Sequence, residues 1–563
     1  MSPPALPEIR TSAALSTLSD ASDALVAIYT DASSLDSLAQ IASDSAAYIA
    51  LSRSVDKDFG STVTLIPSTS ISGGRLVLSP TGSLDDDTDD VRKLADAVKA
   101  GVARAVQAGS SRPAIYFAQP PPTEGECSHD ADYSRWIEVC ILAALEASYV
   151  TLVVREHRLA TCKAGKAVVE NLESVDFVFA HSVSQDEIDK AVRRAKAIET
   201  GRRLAVDMGY GDPERMTPYN CAEYIKAAVD GVQGITYEEI KDLDVIKREY
   251  PLLYNSARAS FSEKRTWPCV VKLEYRSPEA ARVREQFAIL LSDSLYLVGK
   301  GVTYDTGGIS LKIGGSMRGM SRDKLGACGV AGFVLATGVM RDASVNISCI
   351  LAFERNSIGP NSLLPDEVIV SRAGVRVLIN DTDAEGRLVM TDPVAECRER
   401  ILAAREAGNK TPAVIYTAAT LTGHVIRAYG WYGATVANGP ARKGRYDHRL
   451  AVSGLAYGDP FENSIMRRDD YAFVASKTDR EDVYQSNCQA STLTDRGHQY
   501  PAAFIIKASG LDKHSLKSGG SSAIPFVHVD VAGSAEDGVE PGLGLCAITG
   551  SPVATFAGAF WAP

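Results

Sequence analysis

Apolar positions along this chain alternate between two rhythms. Short apolar runs at Thr62–Ile66, Arg75–Leu78, Ala114–Phe117, Tyr149–Val154 and Phe177–Ala180 predict strands. Between them, Val91, Leu94, Ala95, Val98, Val102 and Val106 recur at helical spacing. The acidic run Asp85–Asp90 just before that helix is expected to serve as caps and dipole partners rather than as metal ligands. Strands alternating with helices predict an α/β domain over residues 1–183, with a loose start in the Ser-, Ala- and Asp-rich first 60 residues. Ser184 and Glu187 form a capping-box pattern, and Ile188, Val192, Ala195 and Ile198 follow at core spacing, predicting a linker helix over 184–204. Gly209–Pro218 is loop by its Gly and Pro content. Alternation then resumes, with helices at Cys221–Val229 and Ala327–Val339 and strands at Cys269–Tyr275, Ser294–Val298, Val345–Phe353 and Ala413–Thr417. These predict a second, larger α/β domain over 205–563.

Composition agrees with two domains and narrows the function. The 563 residues exceed what one core usually covers. The net charge of −11 sits at the front: residues 1–200 hold 18 Lys+Arg against 28 Asp+Glu, the remainder 41 against 42. So acidic an N-terminal part repels phosphate backbones and anionic lipid, and neither nucleic-acid nor membrane binding is expected. Ten cysteines are scattered without a C-x-x-C pair, as for reduced, buried thiols. The opening M-S-P-P-A-L-P-E-I-R lacks the basic and apolar segments of a secretory signal. No stretch is expected to reach the roughly 20 apolar residues of a membrane span, and Pro552–Trp561 is expected to dock on the protein body. The expected location is cytoplasmic.

Two segments carry charges that folding alone does not require. The first is V-G-K-G-V-T-Y-D-T-G-G-I-S-L-K at Val298–Lys312, followed by R-D-K-L-G-A at Arg322–Ala327. The second is N-D-T-D-A-E-G-R-L at Asn380–Leu388. Lys300 is expected just past the end of its strand, where ligands of open α/β sheets sit. No phosphate-binding glycine motif accompanies it, which weakens a nucleotide reading. Taken alone, Asp305 or Asp323 reads as a cap or turn residue. Asp383, Glu385 and Arg387, if their segment is extended, project to one side. Two carboxylates so placed repel unless a cation lies between them, although a surface cluster pairing with itself is the plain alternative. Carboxylates plus an amine, with no histidine in either segment, suit Zn, Mn or Mg.

These segments and their spacing, with A-A-T-L-T-G at Ala418–Gly423, resemble the signatures of the leucyl aminopeptidase (cytosol aminopeptidase) family. The match runs from about residue 205 to the end. I-G-P-N and the residues around Tyr304, Asp305 and Thr306 are similar to its aminopeptidase-like branch. The resemblance implies a smaller N-terminal α/β domain joined by a long helix to a larger C-terminal α/β metallopeptidase domain with a central mixed sheet. It implies release of leucine-like N-terminal residues from peptides with a free N-terminus, by attack of a metal-bridged water or hydroxide. Two divalent ions are implied, Zn or Mn with Mg also open. Asp305 and Glu385 would bridge them, Asp383 would complete the looser one, and Lys300 and Asp323 the tighter. Lys312 would stay charged and polarise the scissile carbonyl, and Arg387 would hold a bicarbonate as general base. Met320, Thr420, Leu421 and Gly423 would bind substrate, and the assembly would be a homohexamer.

Three positions depart from the family pattern: Asp381 stands where many relatives have Asn, Lys324 where an apolar residue is common, and the Gly209–Pro218 linker lacks the usual paired Asn-Pro. None removes an implied ligand. The rival readings are a catalytically inactive structural or binding homologue, which loss of a ligand would have favoured, and nucleic-acid binding, which the acidic front disfavours.

Overall fold

The computed structural model describes residues 6–12, 22–31, 42–122, 131–162, 170–179, 183–277, 293–342, 344–519, 522–536 and 548–562. The chain forms two compact units, Pro4–Glu199 with Leu455–Gly458, and Thr200–Gly454 with Asp459–Pro563.

The smaller unit is built on β1 (Glu8–Ser12), β2 (Ala24–Tyr29), β3 (Thr64–Pro67), β4 (Arg75–Pro80), β5 (Pro113–Phe117) and β6 (Ser174–Phe179). Their order is β1-β6-β5-β2-β4-β3, parallel throughout except for the β3–β4 pair. Every residue of β2, β5 and β6 is buried, as expected of parallel strands covered on both faces. The periodic helix forms at Arg92–Gln107 and buries Leu94, Val98 and Val102; Asp90 accepts the Arg92 N–H at 2.9 Å.

Two expectations need correction here. Tyr149–Val154 does not form a strand; helices occupy Trp136–Ser148 and Leu152–Thr161. The apolar run continues into R-E-H-R, and the buried pair Leu152 and Arg155 is spaced for a helix, so the period changes where the run ends. The Ser-, Ala- and Asp-rich first 60 residues contain β1, β2 and the helix Ser45–Val55; the start expected to be loose, residues 1–5, lies outside the described residues, as do 13–21, 32–41 and Ala180. The Ser184 hydroxyl accepts the Glu187 N–H at 3.3 Å, and the helix that follows runs Gln185–Tyr210, so it reaches into the segment read as loop.

The larger unit contains β7 (Ile235–Ile240), β8 (Cys269–Tyr275), β9 (Asp293–Asp305), β10 (Val345–Asn356), β11 (Val368–Val370), β12 (Arg376–Leu378), β13 (Ala413–Ala419), β14 (Gly433–Ala437), β15 (Phe461–Ile465), β16 (Val483–Tyr484) and β17 (Phe526–Asp530). Eight of them make a mixed sheet in the order β15-β14-β17-β13-β9-β10-β8-β7, and β11, β12 and β16 make a small one. Within the large sheet β17, β13, β9 and β10 run parallel, which gathers their C-terminal ends along one side.

The helix Leu325–Met340 is buried along most of its length against this sheet. Its small residues set how closely it approaches. A Cβ on Gly326 would lie 2.1 Å from the Ala418 carbonyl oxygen, and one on Gly299 of β9 would lie 2.5 Å from Ala327 Cα. Met320–Met340 is long enough and, on average, apolar enough to cross a membrane, but it carries Arg322, Asp323 and Lys324 and 89% of its most apolar window is buried, the mark of a core helix. The helix Val553–Phe560 docks as expected, with Phe556 packed edge-on against Phe333. Among the described residues Cys140, Cys221, Cys269, Cys328, Cys349 and Cys397 are free and buried, and Cys162 and Cys488 are exposed; Cys127 and Cys546 lie outside.

Candidate metal centre

Strand β9 supplies the first two groups. Lys300 lies inside the strand opposite Ala352 of β10, not beyond its end as the sequence suggested. The apolar run was the visible part of a strand that continues through Gly299 and Gly301. Lys300 and Asp305 are five apart, so a regular strand would point them to opposite faces. The register corrects this: Val302 faces Glu354 and Asp305 faces Asn356, which leaves one extra residue on β9. Such a bulge re-aims the side chain beyond it, and Lys300 and Asp305 line the same cavity.

Past Asp305 the chain turns through Gly307 and Gly308 at φ +84° and +64°. A Cβ on Gly307 would sit 2.5 Å from the Ser310 carbonyl oxygen, so only glycine fits. The turn returns Lys312, whose N–H bonds the Thr306 carbonyl at 2.9 Å. Asp323 follows the short 3-10 turn Met320–Arg322, just ahead of the buried helix.

The second segment is not extended. Asp383 lies in a turn, and Glu385 is the first residue of the helix Glu385–Glu406. Spacing of i and i+2 therefore does not align Asp383, Glu385 and Arg387. A turn followed by a helix start brings the two carboxylates together, while Arg387 lines the same cavity with its guanidinium against Gln485 and Tyr500. Gly386 is required by proximity, since a Cβ there would lie 2.6 Å from Lys300 Nζ. The Arg387 guanidinium donates to the Gln485 carbonyl at 3.0 Å and lies 4.8 Å from the centre of the Tyr500 ring.

Lys300 Nζ lies 2.7 Å from Asp323 Oδ1 and 3.0 Å from Glu385 Oε1. Lys312 Nζ lies 2.9 Å from Asp305 Oδ2 and also pairs with Asp383. Asp305, Asp383 and Glu385 each present an oxygen within 4.8 Å of the others. Asp323 Oδ2 and Glu385 Oε2 are buried without a hydrogen-bond partner. Four carboxylates thus face two ammonium groups, and two negative charges stay unbalanced. At such a separation each like pair repels by on the order of 3 kcal/mol at an effective dielectric of about 20. Burial, with Asp305 alongside, pushes Asp383 up to about 7; burial likewise raises Asp323 and Glu385. Burial works against both ammonium groups, but the surrounding carboxylates outweigh it and hold Lys300 and Lys312 above the usual lysine range.

All eleven residues singled out from the sequence line one cavity of roughly 270 Å³: Lys300, Asp305, Lys312, Met320, Asp323, Asp383, Glu385, Arg387, Thr420, Leu421 and Gly423. Asp381 also lines it and accepts the Asp383 N–H at 2.9 Å, whereas Lys324 is fully buried and donates to the Ser321 carbonyl. Several supporting residues were missed. Asp530, at the end of β17, accepts from the Leu421 N–H at 3.1 Å and the Thr422 hydroxyl at 2.7 Å, fixing the loop past β13. Its signal was present, an apolar run ending in an acid and glycine at V-H-V-D-V-A-G. Asn356 donates to Asp305 Oδ1 at 2.8 Å, and an ion pair of 2.6 Å between Arg322 and Glu536 closes part of the cavity wall. Arg322 stands in a segment the sequence had singled out, whereas nothing in the sequence flagged Asn356 or Glu536.

An α/β sheet whose strand ends gather buried carboxylates and lysines around one cavity has the build of a metallohydrolase. Residues 203–557 match the model of the cytosol aminopeptidase family, catalytic domain, and the chain belongs to that family. It is a metal-dependent aminopeptidase. It is 33% identical over 473 residues to the Caenorhabditis elegans protein W07G4.4, spanning 84% of this chain and 83% of that one. Identity to the "Probable cytosol aminopeptidase" of Saccharophagus degradans is 26% over 500 residues, 87% and 86% of the two chains. Among solved structures the fold is similar to a leucyl aminopeptidase from Trypanosoma brucei in complex with bestatin (TM-score 0.71, 18% identity, 99% and 95% of the two chains). It is also similar to the bottromycin maturation enzyme BotP in complex with Mn (TM-score 0.69, 20% identity, 96% and 99%).

Proposed function

We propose that residues 205–563 carry a dinuclear aminopeptidase site that releases leucine-like N-terminal residues from peptides, with 1–183 as a separate domain and 184–204 as the linker. The observation that carries this reading is the convergence of Lys300, Asp305, Asp323, Asp383 and Glu385 at one cavity with two unbalanced negative charges. Asp323 Oδ2 and Glu385 Oε2 fit a cation, because each is a buried acceptor without a donor. Asp305 and Glu385 would hold both ions, Asp383 one, and Asp323 the other together with Lys300, which would bind as the neutral amine after giving up its proton, a loss that two neighbouring dications would favour. Zn or Mn suits this donor set, and Mg is the third candidate. Two bound dications would supply a water of lowered pKa and polarise the scissile carbonyl.

The chain's own groups do the rest. Met320 and Gly423 border the space for the first side chain, and Thr420 and Leu421 orient the substrate backbone. With Asp305 and Asp383 holding cations, Lys312 would be free to aim its ammonium at the oxygen that becomes negative as the carbonyl is attacked. Arg387 has a fully buried Nε without a partner, a donor suited to a small anion such as bicarbonate that accepts the proton of the attacking water. A cytoplasmic homohexamer completes the reading. The inactive-homologue alternative is not favoured, because no ligand-type residue is missing. The test is hydrolysis of leucine amide by the full chain with Mn or Zn added, and again after chelation. Metal-dependent turnover supports the reading; no turnover with either metal overturns it.

A further inference from the structure

Gln485 is fully buried, is not among the residues lining the cavity, and puts its whole amide into one turn. Its Oε1 accepts the backbone N–H groups of Asn380 at 2.9 Å and Asp381 at 3.1 Å. Its Nε2 donates to the carbonyls of Asp381 at 2.8 Å and Ala384 at 3.0 Å. Its own carbonyl accepts the Arg387 guanidinium. The fold explains the placement. β12 and β16 pair in parallel, with Leu378 opposite Tyr484, so the turn leaving β12 and the residue leaving β16 emerge side by side. Gln485 extends that pairing by donating its N–H to the Leu378 carbonyl at 3.2 Å.

We propose that Gln485 is the positioning residue for the carboxylate pair Asp383 and Glu385, and through its carbonyl for Arg387. This inference rests on the dinuclear reading above. The chemistry singles out an amide. The turn offers two N–H groups and two carbonyls, and among side chains of this length only glutamine supplies two acceptor lone pairs and two donors. A glutamate would set an oxygen against two carbonyls. A methionine of similar shape would leave the Asn380 and Asp381 N–H groups without this acceptor and the Asp381 carbonyl with the Ala384 N–H alone. Either change loosens the turn between Asn380 and Ala384, in which Thr382 keeps its bonds to Ser310, Gly307 and Asn356, and so alters the spacing of Asp383 from Glu385 and the fit of an ion between them.

The experiment titrates the full-length chain with Mn against a competing chelator, for the wild type and for Gln485→Met and Gln485→Glu, with circular dichroism as the check on folding. Groups that orient metal ligands typically change affinity by about 10- to 100-fold when removed. The expected result is a weakening of that size in both variants, with leucine-amide turnover partly regained at high Mn. A merely structural role would lower the melting temperature and leave the Mn midpoint unmoved in the folded protein. If one variant fails to fold, the other decides. Wild-type Mn uptake undiminished in the folded variants overturns this inference alone. A wild type that takes up no Mn overturns the dinuclear reading, and this inference with it.

Discussion

The two sheets share a plan and differ at their strand ends. In the smaller unit β2 lies between β4 and β5, parallel to both and fully buried; in the larger, β9 lies between β10 and β13 in the same manner. The ends of β5 and β6 are closed by an aromatic stack. Phe117 lies 5.5 Å from Phe179 and 5.2 Å from Trp136, ring centre to ring centre. The ends of β9, β13 and β17 instead carry Asp305, Thr420 and Asp530, with glycine turns that bring backbone close. Among the described residues, one unit spends the ends of β5 and β6 on packing and the other spends its strand ends on chemistry. Parallel topology therefore says where a site can be, and the residues at the strand ends decide whether there is one.

The largest expected effect lies at the charged end. Glu385→Ala removes a carboxylate facing both Lys300 and the Asp305–Asp383 pair; metal analysis should show an ion lost and leucine-amide hydrolysis falling to background. Retained metal and activity would mean that the strand-end charges are structural. Lys312→Met should keep the metal content while lowering kcat by about 100- to 1,000-fold, the usual cost of losing one preorganised group at a developing oxyanion. Equal metal loss in both variants would contradict their separate roles.

At the aromatic end the readout changes from rate to stability. Phe117→Ala should destabilise the smaller unit by about 3–5 kcal/mol in denaturant titration, with kcat/KM of the folded protein unchanged. A large loss of kcat/KM would break the division of labour between the sheets. The smallest change is Ser184→Ala, which removes the hydroxyl that accepts the Glu187 N–H. It should cost about 0.5–2 kcal/mol in the same titration and leave catalysis alone.

Legibility followed locality. Arg92–Gln107 and Cys269–Tyr275 were readable because a helix or a buried strand shows its period within its own residues. The candidate ligands were readable because charges among glycines and strand formers are costly without a partner. Where reasoning depended on the local conformation of a charged segment, it failed. Lys300 proved to be inside its strand, and Asp383 and Glu385 meet through a turn and a helix start. Asn356 and Gln485 gave no signal, since a buried amide is defined by its partners, and those are 51 and about 100 residues away along the chain.

By itself the sequence determined the two α/β regions, the chemistry of the site and the side chains that compose it, because apolar period and uncompensated charge are properties of short segments. Only the tertiary structure decided how those side chains meet. The extra residue that turns Asp305 toward Lys300 exists through pairing with β10, and the turn carrying Asp383 is held by an amide from β16's end. Register and hydrogen-bond partnership are relations between distant strands, and no stretch of chain contains them alone.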